Sequence, residues 1–212
     1  MDILLFHGGP ADVNTYFIVD DKSRCVIIDP CDGQGVLSFI SEHSIVPAAV
    51  LLTHGHFDHI FGLDMLLEKF GVPVYVHSND AKLLTNHELN LAVKFGFSQP
   101  DKFKFDHPVL ISDGDLLKFF DIEVKVMHTP GHTSGCVCYL IDDCAFTGDT
   151  LFNMTIGRTD CYTADLSELR LSVERLARLD DRIVIYPGHG RSSTIGIQKK
   201  FNPYMNGGFD NI

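Results

Sequence analysis

At 212 residues the chain has room for one large folded domain, residues 1–212, and its 45% apolar content is enough to build a core. A formal charge of −11, from 17 basic and 28 acidic residues with no basic stripe, argues against nucleic acid as a partner. No apolar run approaches the ~20 residues of a membrane helix, and the start, Met1-Asp2-Ile3-Leu4-Leu5-Phe6-His7, lacks the basic region and apolar length of a signal peptide. The expectation is therefore a cytoplasmic protein with a small-molecule partner and no membrane association. Six cysteines (Cys25, Cys31, Cys136, Cys138, Cys144 and Cys161) lie in or beside apolar runs without a CxxC pair, as reduced buried thiols do.

In chain order, the opening residues read as a first strand. Segments 15–19 and 24–28 read as a hairpin across Asp20-Asp21-Lys22-Ser23. Asp32-Gly33 opens a helix through Val36, Phe39 and Ile40. Segment 48–52 is a short buried strand that runs into a histidine cluster. The spacing of Leu63, Leu66, Leu67 and Phe70 predicts one amphipathic helix over 60–70, ended by Gly71. A strand follows at 74–77, and residues 78–106 read as helical and then loop-like. Hairpins are expected from 116–120 with 122–127, and from 135–141 with 144–146, the latter turning at Asp142-Asp143. A helix is expected at 166–179, with Leu169, Val173, Leu176 and Leu179 inward and Asp165 at its cap. The last strand is expected at 182–186 and a closing helix at 194–200. The two halves look alike, each passing from a β-rich stretch into helices.

Seven side chains carry metal-ligand chemistry. Thr53-His54-Gly55-His56-Phe57-Asp58-His59 holds four of them in six residues, and His132, Asp149 and His189 follow further on, each just after a strand. Imidazole nitrogen and carboxylate oxygen are the donors that zinc and similar cations take at ~2.0–2.2 Å. Residues i and i+2 of an extended segment point the same way, so His54 and His56 can grip one ion. Asp58 and His59 stand at the turn into the next helix, where they can face a second. Asp149 has two oxygens with which to bridge. Gly131 and Gly188, each preceding a histidine, are expected to permit tight turns towards the metals. Lone histidines such as His7, His43, His87 and His107 read as surface or hydrogen-bonded residues, and His128 as a group that orients the neighbouring loop.

These motifs resemble the metallo-β-lactamase-fold hydrolases over nearly the whole chain. Within them Thr129-Pro130-Gly131-His132-Thr133-Ser134-Gly135, Phe146-Thr147-Gly148-Asp149-Thr150-Leu151-Phe152 and Gly157-Arg158 are most similar to the short glyoxalase II-like branch. The resemblance implies an α+β fold, a four-layer αβ/βα sandwich of two packed mixed β-sheets flanked by helices. It implies two divalent metal ions, zinc first and iron or manganese as alternatives. One would be held by His54, His56 and His132, the other by Asp58, His59 and His189, with Asp149 bridging. The implied activity is hydrolysis of a small ester-type bond, a hydroxyacylglutathione-like thioester first, by a hydroxide that bridges the metals. Asp58 would orient it or carry a proton. Arg158 would bind an anionic substrate or else pair with Asp160.

Two departures from full-length glyoxalase II enzymes stand out. Only 23 residues (212 minus 189) follow His189, too few for their C-terminal glutathione-binding helical domain. The aromatic residue that they place soon after the last ligand is replaced by Gly190-Arg191-Ser192-Ser193. Persulfide dioxygenases resemble the chain too, through Gly157-Arg158-Thr159-Asp160. They imply one iron on His54, His132 and Asp149, a donor set suited to oxygen chemistry. A lactone hydrolase is a further alternative. Specificity is expected in the loops 86–104 and 153–163, where Phe95, Phe97, Phe103 and Phe105 form either an apolar wall or part of a helix core.

Overall fold

Short apolar strands and tight polar turns build two six-stranded mixed sheets, flanked by helices, in an α+β fold. This computed structural model describes residues 1–97 and 107–211. The chain divides into two compact units, Met1–Ile111 with Lys118–Ile122 and Ser112–Leu117 with Glu123–Ile212.

In the first unit, β1 (Asp2–Gly8), β2 (Val13–Val19) and β3 (Arg24–Ile28) form an antiparallel meander. The expected turn at 20–23 is held by Asp20, whose carboxylate accepts from the N–H groups of Lys22 and Arg24. Asp32 caps α1 (Gly33–Glu42) by accepting from the Gly35 N–H, a contact worth about 1 kcal/mol. β4 (Val46–Leu51) then pairs parallel with β3.

The single helix expected over 60–70 is two, α2 (Phe57–Ile60) and α3 (Leu63–Phe70). Gly62 breaks it. Its N–H donates to the Pro30 carbonyl, and a Cβ there would lie 2.6 Å from the Asp32 backbone. A tertiary contact thus overrides the local period. β5 (Val74–His77) continues the sheet, followed by a 3₁₀ turn (Ala81–Leu84) and the one-turn α4 (Ala92–Phe95). The short β6 (Val109–Ile111), absent from the sequence reading, pairs parallel with β5. Side chains from α1 (Val36, Ile40) and α3 (Leu63, Leu66, Leu67) join Phe17, Ile27, Val50 and Val76 in one core. β2 is buried along its whole length, as a strand covered on both faces is.

The second sheet is built from β7 (Leu116–Phe119), β8 (Ile122–His128), β9 (Val137–Ile141) and β10 (Cys144–Gly148), with β8, β9 and β10 antiparallel in turn. Asp142, at φ 49°, makes the expected β9–β10 turn. The β7–β8 tip belongs to the first unit, where Phe119 meets Tyr75 edge-on at 5.3 Å and the Arg24 guanidinium lies 3.6 Å over Phe120. β11 (Leu151–Phe152) and β12 (Thr155–Ile156) form a small hairpin. Asp165 caps α5 (Leu166–Leu176), accepting from the N–H groups of Ser167 and Glu168. Leu169, Val173 and Leu176 face inward as expected, but the helix ends at Leu176 rather than 179. β13 (Val184–Pro187) pairs parallel with β10, and it is not the last strand, because β14 (Ser193–Thr194) adds antiparallel to it. Thr194 caps the closing α6 (Ile195–Phe201). Since β10 and β13 are parallel, and β8 lies two antiparallel steps from β10, the C-terminal ends of all three share one edge of this sheet.

Candidate metal centre

In the first unit the ligand segment leaves the end of β4 and is suspended from Asp29, the residue that ends parallel β3. Asp29 sits at φ 52°, a left-handed conformation that aspartate tolerates, and Thr15 Oγ1 donates to its carbonyl at 2.6 Å. Its carboxylate accepts three buried hydrogen bonds: Oδ1 from the Thr53 N–H at 2.8 Å, and Oδ2 from Thr53 Oγ1 at 2.6 Å and His59 Nδ1 at 2.8 Å.

This pattern sets two tautomers. The Thr53 hydroxyl spends its one hydrogen on Asp29, so at 3.1 Å it accepts from His54 Nδ1. With Nδ1 protonated in both His54 and His59, the Nε2 lone pairs of both are available to a cation. His54 Nε2 lies 3.1 Å from His56 Nδ1. In α2, Asp58 Oδ2 lies 3.9 Å from His59 Nε2. All four residues are buried.

The second unit assembles the later ligands at the shared strand edge. β8 leads to His132, β10 to Asp149 and β13 to His189. Parallel pairing of β10 with β13 sets Gly148 beside Pro187, and the Gly188 N–H donates to the Gly148 carbonyl. Asp149 Oδ2 stands 3.5 Å from His132 Nε2 and 3.5 Å from His189 Nε2. His132 Nδ1 is 2.8 Å from the Arg158 carbonyl, which can only accept, so Nε2 again carries the lone pair. Gly157 makes that approach possible, since a Cβ there would lie 1.9 Å from the Asp149 carbonyl oxygen. Gly131 bears out its expected role: at φ 134° it packs where a Cβ would lie 2.3 Å from Leu169 Cα. Gly188 does not adopt a left-handed conformation. Gly148 (φ 47°) and Gly190 (φ 76°) turn the chain there instead.

The donor set fits a divalent cation. Two donors at 2.0–2.1 Å from one tetrahedral ion are about 3.3–3.4 Å apart. The 3.1 Å nitrogen pair and the two 3.5 Å nitrogen–oxygen pairs bracket that span. Neutral imidazoles with carboxylates suit zinc, iron or manganese.

The family description "Metallo-beta-lactamase superfamily" matches residues 8–189. The chain belongs to the metallo-beta-lactamase superfamily. Among curated members it is 35% identical to hydroxyacylglutathione hydrolase GloC of Haemophilus influenzae, over 91% of this chain and 92% of that protein. It is 34% identical to the probable metallo-hydrolase YqgX of Bacillus subtilis, over 94% and 95%. The BLEG-1 B3 metallo-beta-lactamase superposes with a TM-score of 0.91 at 32% identity, covering 97% of this chain and 100% of that one. TTHA1623, solved in a di-iron-bound form, gives 0.83 at 32% identity over 95% and 99%. ETHE1 from Myxococcus xanthus gives 0.80 at 27% identity over 100% and 91%. The chain thus has a metallo-beta-lactamase fold, two mixed sheets flanked by helices, and is a metal-binding hydrolase by family.

The Arg158 guanidinium makes two bonds to the Asp160 carboxylate, at 2.5 and 2.6 Å, so the ion-pair reading is what this superfamily member displays. Asp160 also raises the pKa of Arg158. His128 spans the ligand loop, with Nε2 2.9 Å from the Ser134 carbonyl. Phe95 and Phe97 stack on Phe57 with centroids 5.6 and 5.1 Å apart, and Phe95 remains half-exposed. Phe103 and Phe105 lie outside the described residues. None of the six cysteines forms a disulfide. Sequence reasoning missed Asp29, Asp80 and the Arg158 carbonyl. Asp29 carried a signal, an acid followed by proline directly after the strand expected at 24–28. Asp80 carried none, because Ser78-Asn79-Asp80 looks like any polar turn. No helix among the described residues is long and apolar enough to cross a membrane.

Proposed function

We propose that this chain is a cytoplasmic, two-zinc hydrolase of a small anionic thioester of the hydroxyacylglutathione type, with neither nucleic acid nor membrane as a partner. The observation that carries the reading is the placement of one Asp149 oxygen 3.5 Å from both His132 and His189. A carboxylate oxygen flanked by two imidazoles suits a bridge between two cations. The similarity to GloC supports the substrate class. In this reading His54, His56 and His132 hold one cation, and Asp58, His59 and His189 the other.

Bound there, the cations would lower the pKa of a water from ~15.7 towards ~7 and polarise the scissile carbonyl. The chain's own groups do the remaining work. Asp29, directly for His59 and through Thr53 for His54, and the Arg158 carbonyl for His132 hold the Nδ1 proton, which leaves Nε2 of each ring as the ligand atom. Asp58 orients the attacking water and accepts its proton. The thiol leaving group departs as a thiolate and needs little acid assistance. Arg158 exchanges Asp160 for a substrate carboxylate, a planar match for its guanidinium.

The test starts with metal per chain by elemental mass spectrometry, on protein purified without chelator or metal-affinity resin, followed by a thioester assay. About two zinc ions per chain with turnover of S-lactoylglutathione would support the reading. About one iron per chain, with oxygen uptake on glutathione persulfide, would replace it with the dioxygenase alternative. The 157–160 stretch lends that alternative its support, while the di-iron form of TTHA1623 bears on the choice of metal and not on a one-iron site. Turnover of a lactone, or of a β-lactam as the similarity to BLEG-1 suggests, without thioesterase activity would move the substrate class.

A further inference from the structure

The His54-Gly55-His56 segment is gripped from a second side. Asp80, fully buried in the turn after β5, accepts the Gly55 N–H through Oδ2 at 2.9 Å. The turn is itself fixed, because the Asp80 N–H donates to the His77 carbonyl and the Leu83 N–H donates to the Asp80 carbonyl. It also fits closely around Gly55, where a Cβ would lie 2.6 Å from Leu83 Cβ and 3.1 Å from the Asp80 carbonyl oxygen. Gly55 therefore cannot move towards the turn, and its N–H cannot swing away without giving up a buried bond to a carboxylate, which is costly. The peptide between the two histidines is thus fixed from both sides. The 3.1 Å spacing of His54 Nε2 and His56 Nδ1 depends on the orientation of that peptide.

We propose that Asp80 is a positioning residue for the His54/His56 pair. It fixes the ligand spacing through Gly55 and would add a buried carboxylate to the surroundings of a cation held by the pair. The proposal rests on the reading that these histidines bind metal, and goes beyond it in assigning a role to the turn after β5. Outer groups of this kind change metal affinity by about 10- to 100-fold.

The experiment is a Co²⁺ titration of the metal-free full chain, following the visible d–d bands, together with Zn²⁺ competition against a chromophoric chelator. Asp80→Ala is expected to bind both ions about 10- to 100-fold more weakly and to shift the Co²⁺ bands, because spacing and charge are both lost. Asp80→Asn keeps an acceptor for Gly55, so its bands should match wild type while affinity falls about tenfold through loss of charge. Wild-type affinity and bands in Asp80→Ala would overturn the proposal. Should that variant fail to fold, wild-type affinity in Asp80→Asn would overturn the charge role, and displaced bands the positioning role. A wild-type chain that binds no Co²⁺ would instead refute the underlying metal reading.

Discussion

Replacing Asp29 with asparagine tests the internal logic of the first ligand cluster with almost no change in shape. The carboxylate accepts three buried hydrogen bonds, one through Oδ1 and two through Oδ2. An amide has one oxygen and one NH₂, so it cannot accept all three. If its oxygen takes the Oδ1 position, the NH₂ faces Thr53 Oγ1 and His59 Nδ1. The hydroxyl can rotate to accept, but His59 must move its proton to Nε2, the atom a metal requires. If the oxygen takes the Oδ2 position, the NH₂ confronts the Thr53 backbone N–H, which cannot rotate. A buried donor left without an acceptor costs about 1–3 kcal/mol, so either orientation should weaken metal binding by about 5- to 150-fold. Zn²⁺ affinity by chelator competition gives the magnitude, and long-range ¹H–¹⁵N spectra of the imidazoles report the His59 tautomer. Zinc affinity within about twofold of wild type, with Nδ1 of His59 still protonated, would refute the argument that Asp29 sets the tautomers.

Asp149→Ala removes the oxygen that lies between His132 and His189; metal content should fall by at least one ion per chain, and full retention would exclude Asp149 as a bridge. Gly131→Ala forces a Cβ to within 2.3 Å of Leu169 and places alanine at φ 134°. A cost of at least about 3 kcal/mol should lower Tm by about 6–12 °C in calorimetry, and an unchanged Tm would refute the close approach. Arg158→Ala should raise KM for S-lactoylglutathione about 5- to 10-fold with kcat little changed, whereas an unchanged KM would restrict Arg158 to its bond with Asp160. Burial pushes the Cys25 and Cys138 thiols up to about 12 and Cys31 up to about 11. These three should stay silent to a thiol-reactive chromophore at pH 8 in the native protein and react after denaturation. Modification of any of them in the native state, read by peptide mapping, would show that the burial is wrong.

The sequence by itself determined what local spacing can encode. Two apolar runs split by Asp20-Asp21-Lys22-Ser23 placed the first hairpin, and Asp32, Asp165 and Thr194 marked three helix starts through bonds to N–H groups two or three positions away. The i, i+2 spacing of His54 and His56 puts two imidazole nitrogens 3.1 Å apart. Tertiary structure decided what depends on residues far apart in the chain. Asp29 reaches Thr53 and His59 across 24 and 30 positions, Asp80 reaches Gly55 across 25, and the Arg158 carbonyl reaches His132 across 26. The break at Gly62 has the same origin, a bond to Pro30 that no helical period foresees. Choice of donor atom follows from local chemistry and is legible in the residue names. The tautomers of His54, His59 and His132 follow from hydrogen bonds that exist only once the fold has set distant residues side by side.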